Sequence, residues 1–457
     1  MASKQPLDPI LYRNAEGDVM LIDIPTSIAA AQGTKDHPAF SRLLSSKPHE
    51  VPFATNNEPK SADAKSKLAA NTVDAALDEE YRSLISRALA EINSNIQGDW
   101  CHPRELFSEV QLKGGNRELK KREDDKPGTA QNIFDDALPW SREPIEKSMA
   151  RLAGLPQDLL PQLAEQCDSK HGDKKRFLVK YSCTETADET NSEEGKEKKE
   201  YLPYEPLQYN LDDSILRLTV LDNLITGKPA YTFRIPPRAS FLSGDCSDAT
   251  SLRAAIRTVA QEYNTPRKFD LLIADPPWTN HSAKRKRAYS TESPANIQQT
   301  LRQMDLDTYI APQAVVGIWI TNKPAVRTMI LGPGGLFENL NVGLIEEWIW
   351  VKTTAKGEPV FALDSSWRKP YEVLLVARAV ANPYAVAEPA TEVKRRVIAG
   401  VTDLHSRKPC LKNVLESLVT DPNSYTAIEL FARHLVSGWF SYGNEPLRFQ
   451  WDGCWAD

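Results

Sequence analysis

Asp275-Pro276-Pro277-Trp278 puts an anionic acceptor, two residues without backbone N–H groups and an aromatic plane in four consecutive positions. That set suits a flat ring bearing an amino group. Asp275 can accept a hydrogen bond from an exocyclic NH2, and the Pro276 carbonyl can accept from the second amino hydrogen. Neither Pro276 nor Pro277 offers a competing N–H. Trp278 supplies a face for stacking. The run before it, Phe269-Asp270-Leu271-Leu272-Ile273-Ala274, reads as a buried strand. Ligands of open α/β sheets bind at the carboxyl ends of strands, where this tetrapeptide would sit. The chemistry implied is transfer of a group onto an amino nitrogen. The plainer alternative is a tight Pro-Pro turn beside a buried Trp.

The segment that follows is Asn280-His281-Ser282-Ala283-Lys284-Arg285-Lys286-Arg287-Ala288-Tyr289. In isolation it reads as a solvated charge run or a nuclear import signal. Beside an amino-accepting site it fits a loop that grips phosphates around a target base. Lys284, Arg285, Lys286 and Arg287 would hold phosphates, Tyr289 would stack on a neighbouring base, and Asn280 would touch base or ribose. No G-x-G-x-x-G precedes Asp275, and Gly332-Pro333-Gly334-Gly335 reads as a turn. Cofactor contacts are sought downstream instead. Arg433, Asn444 and Glu445 can bond ribose hydroxyls, and Lys408 can partner a carboxylate. His281 and His434 receive no role.

These residues need a scaffold that brings strand ends together. From about 236 onward, apolar strand candidates at 269–274, 314–320, 344–351, 372–378 and 427–431 alternate with helical or loop segments. That alternation predicts an α/β domain over 236–457, with a mostly parallel sheet and helices on both faces. Residues 1–235 read as a mixed, partly helical accessory region. Within it, Ile10-Leu11-Tyr12 is a short ordered piece and Val19-Met20-Leu21-Ile22 a strand candidate. A helix is expected from about 74 to 96, with Leu77, Tyr81, Leu84, Ala88 and Ile92 at helical spacing, Asp74 as its cap and Gly98 past its end. A second helix is expected near 143–154. Stretches around 55–70, 112–130 and 168–200 have the composition of exposed or flexible chain.

Composition narrows the class. The 457 residues are 41% hydrophobic and 26% charged, ordinary for a globular protein. No apolar run reaches the roughly 18–20 residues of a membrane span, and the N-terminus lacks the apolar core of a secretory signal. Cys101, Cys167, Cys183, Cys246, Cys410 and Cys454 are dispersed, which fits reduced thiols and no zinc module. No histidine spacing implies a metal. The net charge of −6 hides an asymmetry. Residues 236–457 carry 25 Lys+Arg and 23 Asp+Glu, net +2, whereas 1–235 carry 31 and 39, net −8. The C-terminal half is neutral enough to hold a local basic patch.

Taken together, these pieces resemble the eukaryotic DPPW-type N6-adenine methyltransferases. The match is carried by Asp275-Pro276-Pro277-Trp278 with Lys284-Arg285, by Trp319-Ile320-Thr321-Asn322, and by Glu347-Trp348-Ile349-Trp350-Val351-Lys352. It continues through Lys369-Pro370-Tyr371-Glu372, Arg407-Lys408-Pro409, Glu429-Leu430-Phe431-Ala432-Arg433 and Gly443-Asn444-Glu445. The resemblance covers roughly 236–457 and is loose before that, around Trp100-Cys101. It implies a Rossmann-like fold, permuted so that the catalytic tetrapeptide precedes the cofactor strand, and S-adenosylmethionine as cofactor. By family position Lys408 faces the cofactor's carboxylate, Arg433, Asn444 and Glu445 its ribose, Asp245 and Cys246 its adenine, and Asp275 lies beside it. Catalytic subunits elsewhere in the family carry Gln where this chain has Glu445. The substrate implied is adenosine in RNA, most specifically 2′-O-methyladenosine in small nuclear RNA, with DNA adenine as the alternative. The enzyme is expected to act as a monomer in the nucleus, with the cytoplasm as a second location. A non-catalytic RNA-binding scaffold is the competing class. Joint retention of Asp275, Lys408 and Asn444 argues against it.

Overall fold

The computed structural model describes residues 6–53, 74–106, 159–165, 176–183, 201–223, 230–278, 293–365, 368–382, 384–404 and 407–456. The expected helix near 143–154 and the stretches around 55–70 and 112–130 lie outside the described residues, as does most of 168–200. Within the last, the apolar island at Phe177 opens a strand.

The strands, in chain order, are β1 (Ile10–Arg13), β2 (Val19–Ile22), β3 (Arg42–Leu43), β4 (Phe177–Cys183), β5 (Leu202–Pro203), β6 (Leu207–Tyr209), β7 (Leu216–Asp222), β8 (Ala230–Ile235), β9 (Ser240–Ser243), β10 (Phe269–Ala274), β11 (Ile310–Ile320), β12 (Val342–Thr353), β13 (Tyr371–Ala379), β14 (Lys394–Val401), β15 (Ala427–Leu430), β16 (Trp439–Gly443) and β17 (Trp455–Ala456). The α-helices are α1 (Ile24–Ala30), α2 (Ala75–Asn95), α3 (Leu159–Glu165), α4 (Ala249–Glu262), α5 (Pro294–Gln303), α6 (Pro324–Leu331), α7 (Leu336–Asn339) and α8 (Lys412–Leu415). All five strands expected beyond residue 236 are present.

One sheet of eleven strands runs in the order β1-β2-β14-β12-β13-β11-β10-β15-β16-β9-β6. Six of its ten pairings are parallel: β2 with β14, β14 with β12, and the unbroken run β11, β10, β15, β16, β9. Strand β13 runs antiparallel between β11 and β12. The chain order is permuted against the spatial order. Strands β15 and β16 come late in the chain yet fill the gap between β10 and β9. From β10 the chain moves to β11 on one side, and from β15 to β16 on the other. A doubly wound sheet opens a ligand crevice at such a reversal, outside the carboxyl ends of the two strands.

Alternation along each strand feeds two cores. In β10, Leu272 and Ala274 join one cluster with Ile256, Leu301 and Ile318. Leu271 and Ile273 join the other with Trp319, Leu374 and Trp439. Gly317 in β11 pairs with Ile273, and a Cβ there would meet the Ile273 Cδ1 at 2.6 Å and the Leu374 Cδ1 at 3.3 Å. Only a glycine lets Ile273 lie flat over its neighbour strand. A third, smaller core lies between α3 and the four-stranded sheet β5-β4-β7-β8.

Residues on either side of the expected boundary at 235 share this sheet. β1 and β2 extend it beyond β14. Helix α2 starts at Asp74, whose Oδ1 accepts from the Ala76 N–H at 2.9 Å and the Leu77 N–H at 3.3 Å. It buries Tyr81, Ile85, Ala88, Leu89 and Ile92 on one face of the sheet. Of the residues expected on that stripe, Leu77 and Leu84 are only partly buried. Helix α1 covers the opposite face with Ile24 and Ile28.

Helix α2 also meets β12 through charge. The Glu347 carboxylate, 1% exposed, accepts from the Tyr81 hydroxyl at 2.9 Å, from the Arg395 Nε at 2.9 Å, and from the Arg327 guanidinium. Burial alone pushes this carboxyl up, but Arg327 with Tyr81 and Arg395 prevails and holds it below the usual carboxylate range. Glu347→Ala strands the Arg327 guanidinium beside a buried hydroxyl and leaves Arg395 with Glu80 alone. The expected cost is about 3 kcal/mol of unfolding free energy, read as a lower urea midpoint with unchanged slope.

Candidate active site

The crevice is built from strand ends. Asp275 follows β10, and its N–H reaches the Leu430 carbonyl of β15 at 3.4 Å. The next residues form a tight turn in which the Trp278 N–H donates to the Pro276 carbonyl at 2.8 Å. That carbonyl keeps a second lone pair. The Trp278 indole is 5% exposed and donates its Nε1–H to the Trp319 carbonyl at 2.7 Å. The Trp278 ring is part of the core with Leu272 and Ala274 rather than an open stacking face.

Lys408 sits at the centre. Its Nζ donates to both Asp275 oxygens, at 2.8 and 2.7 Å, and lies 3.1 Å from Glu372 Oε2. Glu372 accepts from Lys352 through its other oxygen. Both cations lie against indole faces, Lys408 at 5.1 Å from Trp319 and Lys352 at 4.8 Å from Trp350. Burial pushes Lys408 down, but Asp275 and Glu372 outweigh it and raise the ammonium above its ordinary value. Burial likewise pushes Glu372 up, and Lys352 with Lys408 pulls it far below the carboxylate range. The four groups form one chain of alternating carboxylates and ammonium groups.

Neighbouring residues fix that chain in place. Tyr371, beside Glu372 on β13, accepts from Asn322 Nδ2 at 2.7 Å through its carbonyl. Its hydroxyl donates to Asp78 of α2 at 2.8 Å, and Lys369 donates to the same carboxylate at 2.8 Å.

The remaining expected residues ring the same edge. Asp245 and Cys246 follow β9. The Asp245 carboxylate accepts from the Ser247 N–H at 2.8 Å, its carbonyl accepts from the Tyr442 hydroxyl, and Cys246 is buried. Arg433 follows β15, with its Nε 3.7 Å from Glu445 Oε2. Glu445, after β16, also accepts from Arg448 at 2.5 Å, and burial holds its carboxyl above the usual range against the pull of Arg433. Asn444 between them is exposed. Phe431 turns the chain at φ 59°, and a Cβ on Gly443 would meet the backbone of Phe431 and Ala432 at 3.1 to 3.2 Å. The two loops can approach only because Gly443 has no side chain. Asn280, Lys284, Arg285, Lys286, Arg287 and Tyr289 lie outside the described residues.

Four groups at this edge had no role assigned from the sequence: Lys352, Glu372, Glu429 and His434. The available signal was a charge inside an otherwise apolar strand. Glu429 and His434 line one cavity with Asp275, Lys408, Phe431 and Arg433. Burial and Asp275 push the Glu429 carboxyl up to about 8 against the pull of Lys408. Burial and then Arg407 lower His434 to about 4, so its imidazole is neutral. Its Nε2 and the Arg407 Nε and Nη2 are buried without hydrogen-bond partners. No group of three or more His, Cys, Asp or Glu suited to a metal occurs among the described residues, and no helix there is long and apolar enough to cross a membrane.

A permuted, mostly parallel sheet with Asp-Pro-Pro-Trp at its switch point defines an α/β methyltransferase fold of Rossmann type. Residues 269–445 match the MT-A70 family of Rossmann-like methyltransferases, so that an MT-A70 domain is present over that part of the chain. It is 38% identical over 231 residues to the N6-methyladenosine RNA methyltransferase MTA1 of Cryphonectria parasitica, covering 50% of this chain and 64% of that one. The MTA1 protein of Pyricularia oryzae is 26% identical over 98% of this chain and 96% of its own length. The N(6)-adenine-specific methyltransferase METTL4 of Mus musculus is 31% identical over 65% of this chain and 62% of its own. The Cryphonectria and mouse matches thus span just under two thirds of those relatives. MT-A70 methyltransferases generally use S-adenosylmethionine.

Removing the central cation exposes the charge chain. Lys408→Met leaves Asp275 and Glu372 facing each other with Lys352 alone, at an expected cost of about 3 kcal/mol at neutral pH. Glu372 is depressed in the folded state, so its contribution is present above its ordinary value of 4.5 and fades as pH falls below it. Melting curves against pH should show the gap between wild type and variant narrowing below that value.

Proposed function

We propose that this chain is an S-adenosylmethionine-dependent N6-adenine methyltransferase acting on RNA, with 2′-O-methyladenosine in small nuclear RNA as the specific target. One observation carries the reading: an acidic and a carbonyl acceptor, Asp275 and Pro276, stand at the switch-point crevice beside a desolvated lysine. The printed names of the MTA1 relatives support adenosine in RNA as the substrate class.

The residues fit the cofactor. Lys408 is a buried cation suited to a carboxylate, and Arg433, Asn444 and Glu445 offer donors and acceptors suited to ribose hydroxyls. The Gly443 approach and the Asp245-Cys246 corner leave backbone groups at the same edge. When bound, the cofactor supplies an electrophilic methyl group.

The protein's own work is orientation. Adenine N6 is a poor nucleophile because its lone pair is delocalised into the ring. Asp275 and the free lone pair of the Pro276 carbonyl take the two amino hydrogens, which turns the nitrogen lone pair out of the ring plane and aims it. Lys408 donates to both oxygens of the Asp275 carboxylate and fixes its position for that task. The indole of Trp278, anchored on the Trp319 carbonyl, fixes the turn that carries Pro276. A paired base cannot reach this crevice, so the target is flipped out or single-stranded. Lys284, Arg285, Lys286 and Arg287 grip the flanking phosphates, Tyr289 stacks on a neighbour, and Asn280 meets the target base or its ribose. Residues 1–235, which supply strands β1, β2 and β6 of the same sheet, add to the substrate surface, and the enzyme works as a monomer in the nucleus.

Labelled methyl transfer to matched oligonucleotides tests this: RNA with adenosine, RNA with 2′-O-methyladenosine, single-stranded DNA and duplex DNA. The 2′-O-methylated RNA should be the best substrate, and a preference for DNA would overturn the RNA assignment. Asp275→Ala should lower kcat by about a thousandfold or more; full activity in that variant would sink the mechanism. Lys284→Ala with Arg285→Ala should reduce the slope of log affinity against log salt by about 1.4. An unchanged slope removes the phosphate-gripping role.

A further inference from the structure

The loop that joins β12 to β13 folds back on itself at the edge of the sheet that carries Glu372. The Val360 N–H donates to the Lys352 carbonyl at 3.0 Å, and the Thr354 N–H to the Glu358 carbonyl at 2.8 Å. Gly357 turns the loop at φ 85°, where a Cβ would meet the Trp100 ring at 2.5 Å. Segment 49–53 clamps it from the N-terminal half. The Ala355 N–H donates to the His49 carbonyl at 2.7 Å, and the Phe53 N–H to the Val360 carbonyl at 2.9 Å. Three rings meet where the two segments join. His49 and Phe53 pack edge to face at 4.6 Å, and Phe53 and Phe361 lie tilted at 5.4 Å. Arg368 lies over Phe361, 5.6 Å from the ring centroid, and is exposed. No carboxylate among the described residues pairs with its guanidinium, whose pKa desolvation alone lowers. The neighbouring cations differ: Lys352 is taken up by Glu372, and Lys369 by Asp78. A guanidinium backed by a ring, with its donors unspent, can stack on an unpaired base and grip a phosphate.

We infer that Arg368, backed by Phe361, is the landing site for an unpaired nucleotide that flanks the target adenosine in single-stranded RNA. The flanking base stacks on the outer face of the guanidinium, and the adjoining phosphate meets its edge donors. This rests on the function proposed above. The loop is tied to the crevice through its own backbone. Val360, beside Phe361, bonds to Lys352, and the Lys352 ammonium pairs with Glu372 of the central ion chain. A strand that delivers its target base to the crevice passes along this edge, where a cation without a counter-charge attracts its backbone. The clamp from segment 49–53 gives the N-terminal half a defined part in this: Phe53 holds Phe361, and Phe361 holds Arg368.

Filter binding and labelled methyl transfer on the full chain test this with two substrates. One is a long unstructured RNA with 2′-O-methyladenosine at its centre, and the other a trinucleotide with the same target. Wild type should favour the long RNA. Arg368→Gln should weaken its binding about tenfold and reduce the slope of log affinity against log salt by about 0.7. The effect should fall on KM rather than kcat. Phe361→Leu, which keeps an apolar side chain against Phe53, should weaken the long RNA about fivefold and leave the salt slope unchanged. Both variants should narrow the gap between long RNA and trinucleotide. Unchanged affinity for the long RNA in both would overturn the inference, leave this face to a protein partner, and leave the methyltransferase reading intact. Equal weakening of the two substrates would overturn it too, since the residues would then only support the fold. Failure of wild type to methylate either RNA would overturn the inference together with the reading beneath it.

Discussion

The ammonium of Lys408, held between Asp275 and Glu372 in a desolvated crevice, is the interaction on which the rest of the arrangement depends. Partly buried ions such as these are stabilised by being paired and hydrogen-bonded. Each partner here comes from a different part of the chain: Asp275 from the end of β10, Glu372 from β13, and Lys408 from the segment before α8. The pairing therefore ties the catalytic turn to both halves of the sheet. It also explains two tryptophans in the strands beneath. Trp319 and Trp350 offer π-faces to Lys408 and Lys352, and they meet edge to face at 6.0 Å. The indoles exclude water while still stabilising the cations.

From this cluster the constraint spreads outward. Glu372 is placed by β13, and its neighbour Tyr371 is held by Asp78 of α2. Tyr81, one turn further along the same helix, reaches Glu347 on β12. A helix far from the site in sequence thus sets the depth at which the acid–lysine pair sits. The acidic balance of residues 1–235 is partly accounted for in the same way. Asp78 and Glu80 face Lys369 and Arg395 of the catalytic sheet.

Permutation has a consequence for assembly. β15 and β16 close the sheet last in chain order, yet they carry Glu429, Phe431, Arg433 and the Asn444-Glu445 pair to the crevice. The site exists only once β15 has paired with β10. Several of the groups that come together there are costly in a folded core: a carboxyl pushed up to about 8, a neutral histidine with an unpartnered nitrogen, and an arginine with two unpartnered atoms. A core evolved for stability alone would replace them with apolar side chains. They gather around one cavity, lined also by Asp275 and Lys408.

The sequence by itself determined the strands, their alternation with helices and the turn at Asp275. Those signals are local: apolar period, proline geometry, capping by Asp74. The basic run and the polar groups of Arg433, Asn444 and Glu445 were legible as chemistry, and the family resemblance put Lys408, Arg433, Asn444 and Glu445 at one edge. What lay beyond reach was the pairing. Lys352, Glu372 and Glu429 were visible only as charges in apolar strands, and a charge in a strand does not announce its partner. Trp278 looked like an open stacking face, but its indole is spent on the Trp319 carbonyl. Which ions meet, which carboxyl stays protonated and which rings are buried were decided by the tertiary structure alone, because desolvation and Coulomb energy depend on distances between segments that one-dimensional spacing does not contain.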